Sequence, residues 1–372
     1  MKIYNVKLTT IGPVHIGCGE TRNKMQYVND FDDRKVYIPD DTKFMKWIIE
    51  KGVLDNFENY FMQIDKKKRN NLYLWLKANN LLKEYKNYMA YYLDTRSFEK
   101  PKGSFNEIQM MIKTKDLKPY IPGSSLKGAI RTALFNDEMG EKELNINDLE
   151  FINKYLEDKD FAIKRGFKNK IGSFERESNE YFNKFFERDI TKDVSHSVMK
   201  DILISDSKPI SNENLILAQK IDFIKTKSGK PVKNALSTFR ESIAPSVELK
   251  FEMVIKDNSE YNIEDIKDAI YHNYTDIDEA FLAEFDTEVR EGELIYIGGG
   301  TGFASKTSIY SMFEKEDAVE LTSKILDDKA SKHNHLNDIE LKISPREIKK
   351  TKVRREYLEM GLCKIEFEEK KI

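Results

Sequence analysis

Two glycine-bearing stretches carry most of the chemistry this sequence could perform. The first is Tyr120-Ile121-Pro122-Gly123-Ser124-Ser125-Leu126-Lys127-Gly128-Ala129-Ile130-Arg131. Pro122 and Gly123 set a turn, and Ser124 or Ser125 can cap the helix that follows. An anion at that helix start would meet free backbone N–H groups and the positive end of the helix dipole. Lys127 and Arg131 are four apart and share one helix face, while Gly128 allows a close approach to another backbone. An ordinary capped helix with two solvent-facing cations is the alternative.

The second stretch runs Leu294-Ile295-Tyr296-Ile297-Gly298-Gly299-Gly300-Thr301-Gly302-Phe303-Ala304-Ser305-Lys306-Thr307. Gly298, Gly299, Gly300 and Gly302 directly follow a strand-like apolar run. They let several N–H groups point inward, a nest for phosphate oxygens. Residues 300–307 nearly match a Walker A loop, with Ser305 where the second glycine belongs. No apolar strand ending in Asp supplies a magnesium partner, so contact with a nucleic-acid backbone outranks a P-loop-like NTPase. A purely structural turn is the remaining alternative.

Catalytic constellations are thin. His15, in Pro13-Val14-His15-Ile16-Gly17, sits at a strand end with no second His or Cys at useful spacing. His333 and His335 fall in a polar segment that reads as a solvated loop. Asp30, Asp32 and Asp33 could hold Mg²⁺, although acidic turns are common. The reading therefore assigns no catalytic residue, no metal ligand and no cofactor.

The elements that must position these groups show two periods. Tyr4, Val6 and Leu8 alternate with polar neighbours, as do Val247, Leu249, Phe251, Met253 and Ile255, and Cys363, Ile365 and Phe367. Each predicts a half-buried antiparallel strand. Shorter strands fit 202–205 and 294–297, and a hairpin fits 25–28 with 35–38. Helical spacing links Leu72, Leu76, Leu82, Tyr85, Met89 and Tyr92, joins Phe182, Phe185 and Phe186, and extends over 263–285. The polar stretch 208–214 is the best internal boundary. The fold class expected is α+β, with an N-terminal unit over 1–210, enlarged by helical insertions around 55–115 and 145–195, and a C-terminal unit over 211–372.

The chain's 372 residues are 34% charged and 40% hydrophobic, yet 22 Phe and 18 Tyr supply enough apolar side chains for real cores. Two cysteines exclude a disulfide scaffold. No uncharged apolar run approaches a membrane span and no signal-peptide block opens the chain, so a cytoplasmic protein without membrane attachment is expected. The 62 basic and 64 acidic residues sum to −2 but are segregated. Residues 223–240 hold Lys225, Lys227, Lys230, Lys233 and Arg240 with no acid, and read as a loop. Residues 342–355 hold seven bases and one acid, whereas 256–293 hold thirteen acids and three bases. One positive and one negative face follow, with solvated helix faces as the plainer account.

At the two glycine stretches the chain resembles the RAMP superfamily of CRISPR-associated proteins. Residues 13–19, the turn and helix of 121–131 and the loop 298–302 carry the match. Residues 204–209, 344–349 and 361–363 narrow it toward the subunit that caps the crRNA 3′ end in type III-A (Csm) complexes. That resemblance implies two ferredoxin-like (RRM-related) βαββαβ domains, crRNA as ligand, and a repeating RAMP backbone subunit and a small helical subunit as neighbours. It also implies a part in crRNA 3′-end maturation by positioning RNA for host nucleases. By the same resemblance Gly123, Ser124, Ser125, Lys127, Arg131, Gly298, Gly299, Gly300, Gly302 and Lys306 touch the crRNA backbone. His15, Lys230, Lys233 and Arg240 complete the expected RNA-binding set. The acidic segment 256–293 would face away from RNA. The competing expectation is a RAMP-type endoribonuclease with His15 as its acid–base group.

Overall fold

The computed structural model describes residues 1–62, 71–95, 107–143, 186, 197–285, 287 and 290–371. The three alternating segments become neighbours. Strand β1 (Lys2–Thr10) buries Tyr4, Val6 and Leu8 on one face. It pairs antiparallel with β10 (Glu248–Ile255) on one side and β14 (Leu362–Glu369) on the other. Adding β7 (Ile202–Ile204) and β11 (Leu294–Tyr296) gives a five-stranded sheet ordered β11-β14-β1-β10-β7.

Two long helices cover this sheet, α4 (Gly123–Glu141) and α5 (Ile263–Ala280). Leu126, Ile130, Ala133 and Leu134 of α4 join Ile266, Ala269 and Ile270 of α5 and the inward residues of β1 and β10 in one core. In chain order the unit reads β1-α4-β7-β10-α5-β14. Helix α5 starts at a capping box in which the Asn262 side chain accepts from the Asp265 N–H and the Asp265 carboxylate accepts from the Asn262 N–H.

A second, six-stranded sheet packs beside the first. Its order is β13-β12-β8-β9-β6-β2, drawn from Glu356–Glu359, Glu347–Val353, Leu215–Ile224, Val232–Ile243, Glu107–Met111 and Gly17–Asn23. A third, small sheet joins β3 (Val28–Asp30), β4 (Lys35–Pro39) and β5 (Met89–Asp94). With α1 (Asp41–Glu50), α2 (Leu54–Met62) and α3 (Leu72–Ala78) it encloses a separate core around Phe44, Trp47, Phe57 and Trp75.

The architecture is therefore mixed α+β with three sheets. Both large sheets combine strands from either side of residue 210, interleaved in the five-stranded one and joined at β9–β6 in the other, and the polar stretch at that point is pinned down. The Lys208 N–H donates to Lys250 O at 3.2 Å and the Ile210 N–H to Pro119 O at 2.9 Å.

Several local expectations are corrected. The helical spacing begun at Leu72 stops at α3 because Asn80 takes a left-handed φ of 58°, and Met89 and Tyr92 lie on β5 instead. The hairpin's first strand begins at Val28 rather than Met25. The base-only stretch 223–240 is mostly sheet, since β8 runs to Ile224 and β9 resumes at Val232. Phe186 is buried and helical, while Phe182, Phe185 and the rest of the 145–195 insertion lie outside the described residues.

Candidate nucleic-acid interface

The glycine loop leaves β11 and is immediately tied to the N-terminal segment. The Ile297 N–H donates to Gly361 O at 2.9 Å and the Gly299 N–H to His15 O at 2.8 Å. Gly298 has φ 84°, and a Cβ there would lie 2.3 Å from His15 O; no other residue type fits without moving the backbone. The far end of the loop is open, for a Cβ on Gly302 would meet nothing within 4 Å. One 3-10 turn (Ala304–Lys306) follows, then a four-residue helix α6 (Ile309–Met312). The Thr307 hydroxyl accepts from the Ile309 N–H at 3.2 Å. The long helix and free hydroxyl of a Walker A loop are thus missing, and this chain's loop gives the NTPase alternative no support.

The start of α4 is arranged differently from the expectation. Pro122 is its N-cap, and no side chain of the capping position bonds back. The Gly123 N–H is instead taken at 2.8 Å by the Asp206 carboxylate, so the fold itself supplies both the cap expected of Ser124 or Ser125 and an anion at the helix start. A Cβ on Gly123 would lie 2.2 Å from Ile204 O, which makes this glycine the close-approach point. Gly128 is not one: a Cβ there would face open space.

The two cations of this helix turn to the protein. Lys127 Nζ donates to Ile202 O at 2.7 Å, and burial, followed by the nearby Lys256 charge, lowers its pKa from 10.5. The Arg131 guanidinium stands 5.1 Å from the Phe186 ring centre.

What α4 does present to solvent is its Ser125–Gly128–Thr132 face, and this forms one wall of a cleft of about 390 Å³. The opposite wall is the loop, with Gly298, Gly299, Ser305 and Lys306. His15 and Gly17 also line it. The two glycine stretches, far apart in sequence, therefore meet across one groove. Among the described residues no carboxylate lines it.

His15 is buried, with Nδ1 at 2.7 Å from Glu241 O. A carbonyl only accepts, so Nδ1 carries the proton and the neutral ring keeps Nε2 as an acceptor beside Gly17. Burial is the main force pushing the His15 pKa below 6.5, partly offset by the Glu241 hydrogen bond. Behind it lies a buried ion pair, Lys113 with Glu241, whose carboxylate also accepts the Met111 N–H at 2.9 Å.

The remaining expected contacts are dispersed. Arg240 reaches the back of the loop, with Nη1 3.5 Å from where a Gly300 Cβ would stand. Lys230 lies in the exposed turn between β8 and β9, where its carbonyl accepts from Thr226 Oγ1 at 3.1 Å. Lys233 Nζ sits 4.0 Å above the Tyr357 ring. Neither lysine lines the cleft. Sequence reading missed Thr132, Asn273 and Ser305 on the cleft wall. Of the basic runs read from the sequence, Lys349 and Arg240 meet Lys220 across β12, β9 and β8, where both charges help burial to lower the Lys349 pKa against the opposing Glu347 and Asp222 carboxylates. Only strand pairing brings those cations together, so no local spacing announces them.

The acidic turn is internally neutralised. Asp30 Oδ1 accepts the N–H groups of Asp32 at 3.2 Å and Asp33 at 3.1 Å, and Oδ2 accepts the Tyr85 hydroxyl at 2.7 Å. Asp33 takes the Tyr37 hydroxyl and the Lys86 ammonium, which together hold its pKa below the usual carboxylate value. Among the described residues no group of three or more His, Cys, Asp or Glu is placed to hold a metal. His335 is also not a solvated loop residue: it is buried with Nδ1 3.0 Å from Asp338 Oδ2. No helix among the described residues is long and apolar enough to cross a membrane.

Comparison with known proteins gives the family and the fold. The RAMP superfamily profile matches residues 7–328. A protein of Streptococcus thermophilus described as "CRISPR system Cms protein Csm5" is 30% identical over 328 residues, covering 86% of this chain and 82% of the relative. The protein of the same description from Mycobacterium tuberculosis is 24% identical, covering 98% and 97%. Among solved structures, a chain of a type III-A Csm–crRNA–target RNA ternary complex superposes with a TM-score of 0.66 at 18% identity, covering 98% of this chain and all of that one. The crystal structure of T. onnurineus Csm5 superposes with a TM-score of 0.59 at 16% identity, covering 96% and 99%. At such identities the two superpositions speak for the fold.

Proposed function

The chain belongs to the RAMP superfamily as a Csm5 subunit of the type III-A CRISPR Csm complex, and from that premise we propose that it is a non-catalytic crRNA-binding subunit at the 3′ end of the complex. It holds the sugar–phosphate strand between α4 and the glycine loop and assists 3′-end maturation by positioning RNA for host nucleases. A repeating RAMP backbone subunit and a small helical subunit are its neighbours in this reading. The unit β1-α4-β7-β10-α5-β14, with four of its strands in the spatial order β14-β1-β10-β7, is read as one ferredoxin-like fold assembled from both halves of the chain. The acidic surface of 256–293 faces a protein neighbour.

One observation carries the reading: two glycine turns from distant parts of the chain line a single groove that offers backbone, hydroxyls and Lys306 but, among the described residues, no carboxylate. Such a surface suits a polyanion recognised through its backbone. The test is photo-crosslinking of crRNA in the reconstituted complex, followed by mapping of the attachment points. Crosslinks between crRNA 3′ nucleotides and residues 298–306 are expected. Their absence, with crosslinks elsewhere on the chain, would overturn the assignment of the cleft.

A second reading is favoured by His15. Its neutral ring presents an acceptor nitrogen at the groove, which is what a general base for a ribose 2′-hydroxyl requires. Metal-free incubation with repeat RNA separates the two: cleavage by the wild type that disappears in His15→Ala would make the protein an endoribonuclease.

A further inference from the structure

The floor of the cleft is not built for phosphate. Ile295 and Ile297, almost completely buried, line it together with Ile16, an apolar stretch beside the equally buried His15. Asn273 of α5 joins them, and its side-chain amide is oriented by a short chain of hydrogen bonds. The Thr307 carbonyl can only accept, so the group bonded to it at 3.2 Å is the Asn136 Nδ2 amide. The same nitrogen donates at 2.6 Å to Asn273, which fixes the Asn273 atom on that side as Oδ1. The other end of Asn273, its Nδ2, has no partner among the described residues, although the residue is only 8% exposed.

An unpartnered donor, set in an apolar floor beneath a backbone-lined groove, has the chemistry of a base-edge reader. A phosphate would gain nothing from the isoleucines, and an aliphatic ligand would leave the amide unpaired. The volume, about 390 Å³, lies at the small end of the range of roughly 300–1,000 Å³ usual for small-ligand pockets. Gly128 keeps the wall facing the floor free of side chain.

We propose that the cleft receives one unstacked nucleobase of the bound RNA, edge-on to Asn273, and that its Nδ2 selects a base presenting a carbonyl there over one presenting an amino group. Uracil and cytosine differ in this way at position 4. The inference rests on the RNA-binding reading above and adds a single sequence-sensitive position to an otherwise backbone-directed contact.

The experiment uses the reconstituted complex with the full chain and a set of crRNAs carrying 2-aminopurine at successive positions of the 3′ segment. One position is expected to change emission on assembly, and Gly128→Leu, which fills the groove from a site with room for a side chain, is expected to abolish that change. At that position uracil should bind about fivefold to tenfold better than cytosine. In Asn273→Asp, which keeps the acceptor toward Asn136 and replaces the donor, that preference should vanish or invert. If no position responds while crosslinks to residues 298–306 persist, the nucleobase pocket is overturned and the backbone cradle stands. If neither signal is present, both fall. An emission change that survives Gly128→Leu also overturns the proposal.

Discussion

The α4 turn and the glycine loop look like two versions of one device in the sequence, and the structure makes them opposites. At the α4 start, Asp206 occupies the Gly123 N–H, Lys127 is spent on the Ile202 carbonyl, and Arg131 lies over Phe186. At the loop, Gly298 and Gly299 are anchored on His15, but Gly302 and the exposed Lys306 remain open to solvent. A helix N-terminus with cations nearby is an anion site only where the fold leaves its donors unpaired. Here the first segment serves as a wall of the cleft, and in the proposed function the second is the gripping surface.

That contrast can be broken most forcefully at its anchor. Gly298→Ala places a Cβ against the His15 carbonyl in a left-handed conformation, and a loss of about 3 kcal/mol is expected in denaturant unfolding. A loss below about 1 kcal/mol would show that the loop is not held as described. Asp206→Ala should cost about 1 kcal/mol as a lost helix cap. It should leave RNA affinity equal or higher, because it frees an N–H for phosphate; a marked fall in affinity would mean that α4 already binds RNA through this turn.

The two lysines sharpen the same comparison. Lys306→Ala is expected to reduce the slope of log affinity against log salt by about 0.7, the loss of one single-strand phosphate contact. Lys127→Ala should leave the slope alone and lower stability instead. Equal slopes for the wild type and Lys306→Ala would remove the loop from the interface.

The smallest effects come from pH. Burial holds His15 below 6.5, so the unfolded chain takes up the proton more readily. The stability His15 contributes is complete above about pH 6.5 and is lost as pH falls through its folded value. His272 has the opposite sign, because its hydrogen bond to Asp137 raises its pKa. Its contribution is complete below about pH 6.5 and is lost as pH rises through the folded value, and it is weak and salt-sensitive at so exposed a site. Unfolding midpoints of His15→Asn and the wild type should converge on acidification, and parallel curves would contradict the burial of His15.

Legibility in the sequence followed strand environment. β1, β10 and β14 each keep one face wet, so their alternation was readable and all three proved to be adjacent. β8 was not readable, because Leu215, Leu217, Ala218 and Gln219 are buried on both faces, which erases the period of two. β2 is almost wholly exposed and equally patternless. The site was half legible: the glycines announced a loop with inward N–H groups, but the Gly299 N–H is taken by the His15 carbonyl, which no spacing rule reveals.

What the chain's residues settled by themselves is therefore local. Glycine at 298 permits a left-handed backbone, proline and glycine at 122 and 123 start a helix, and alternation commits β1, β10 and β14 to one-sided burial. Which donors stay free was decided only by packing. Asp206, Ile202 and Phe186 reach α4 from elements 55 or more residues away and consume its cations and N–H group. Among the described residues no comparable partner reaches Gly302, so the open end of the loop exists because of what they leave uncovered.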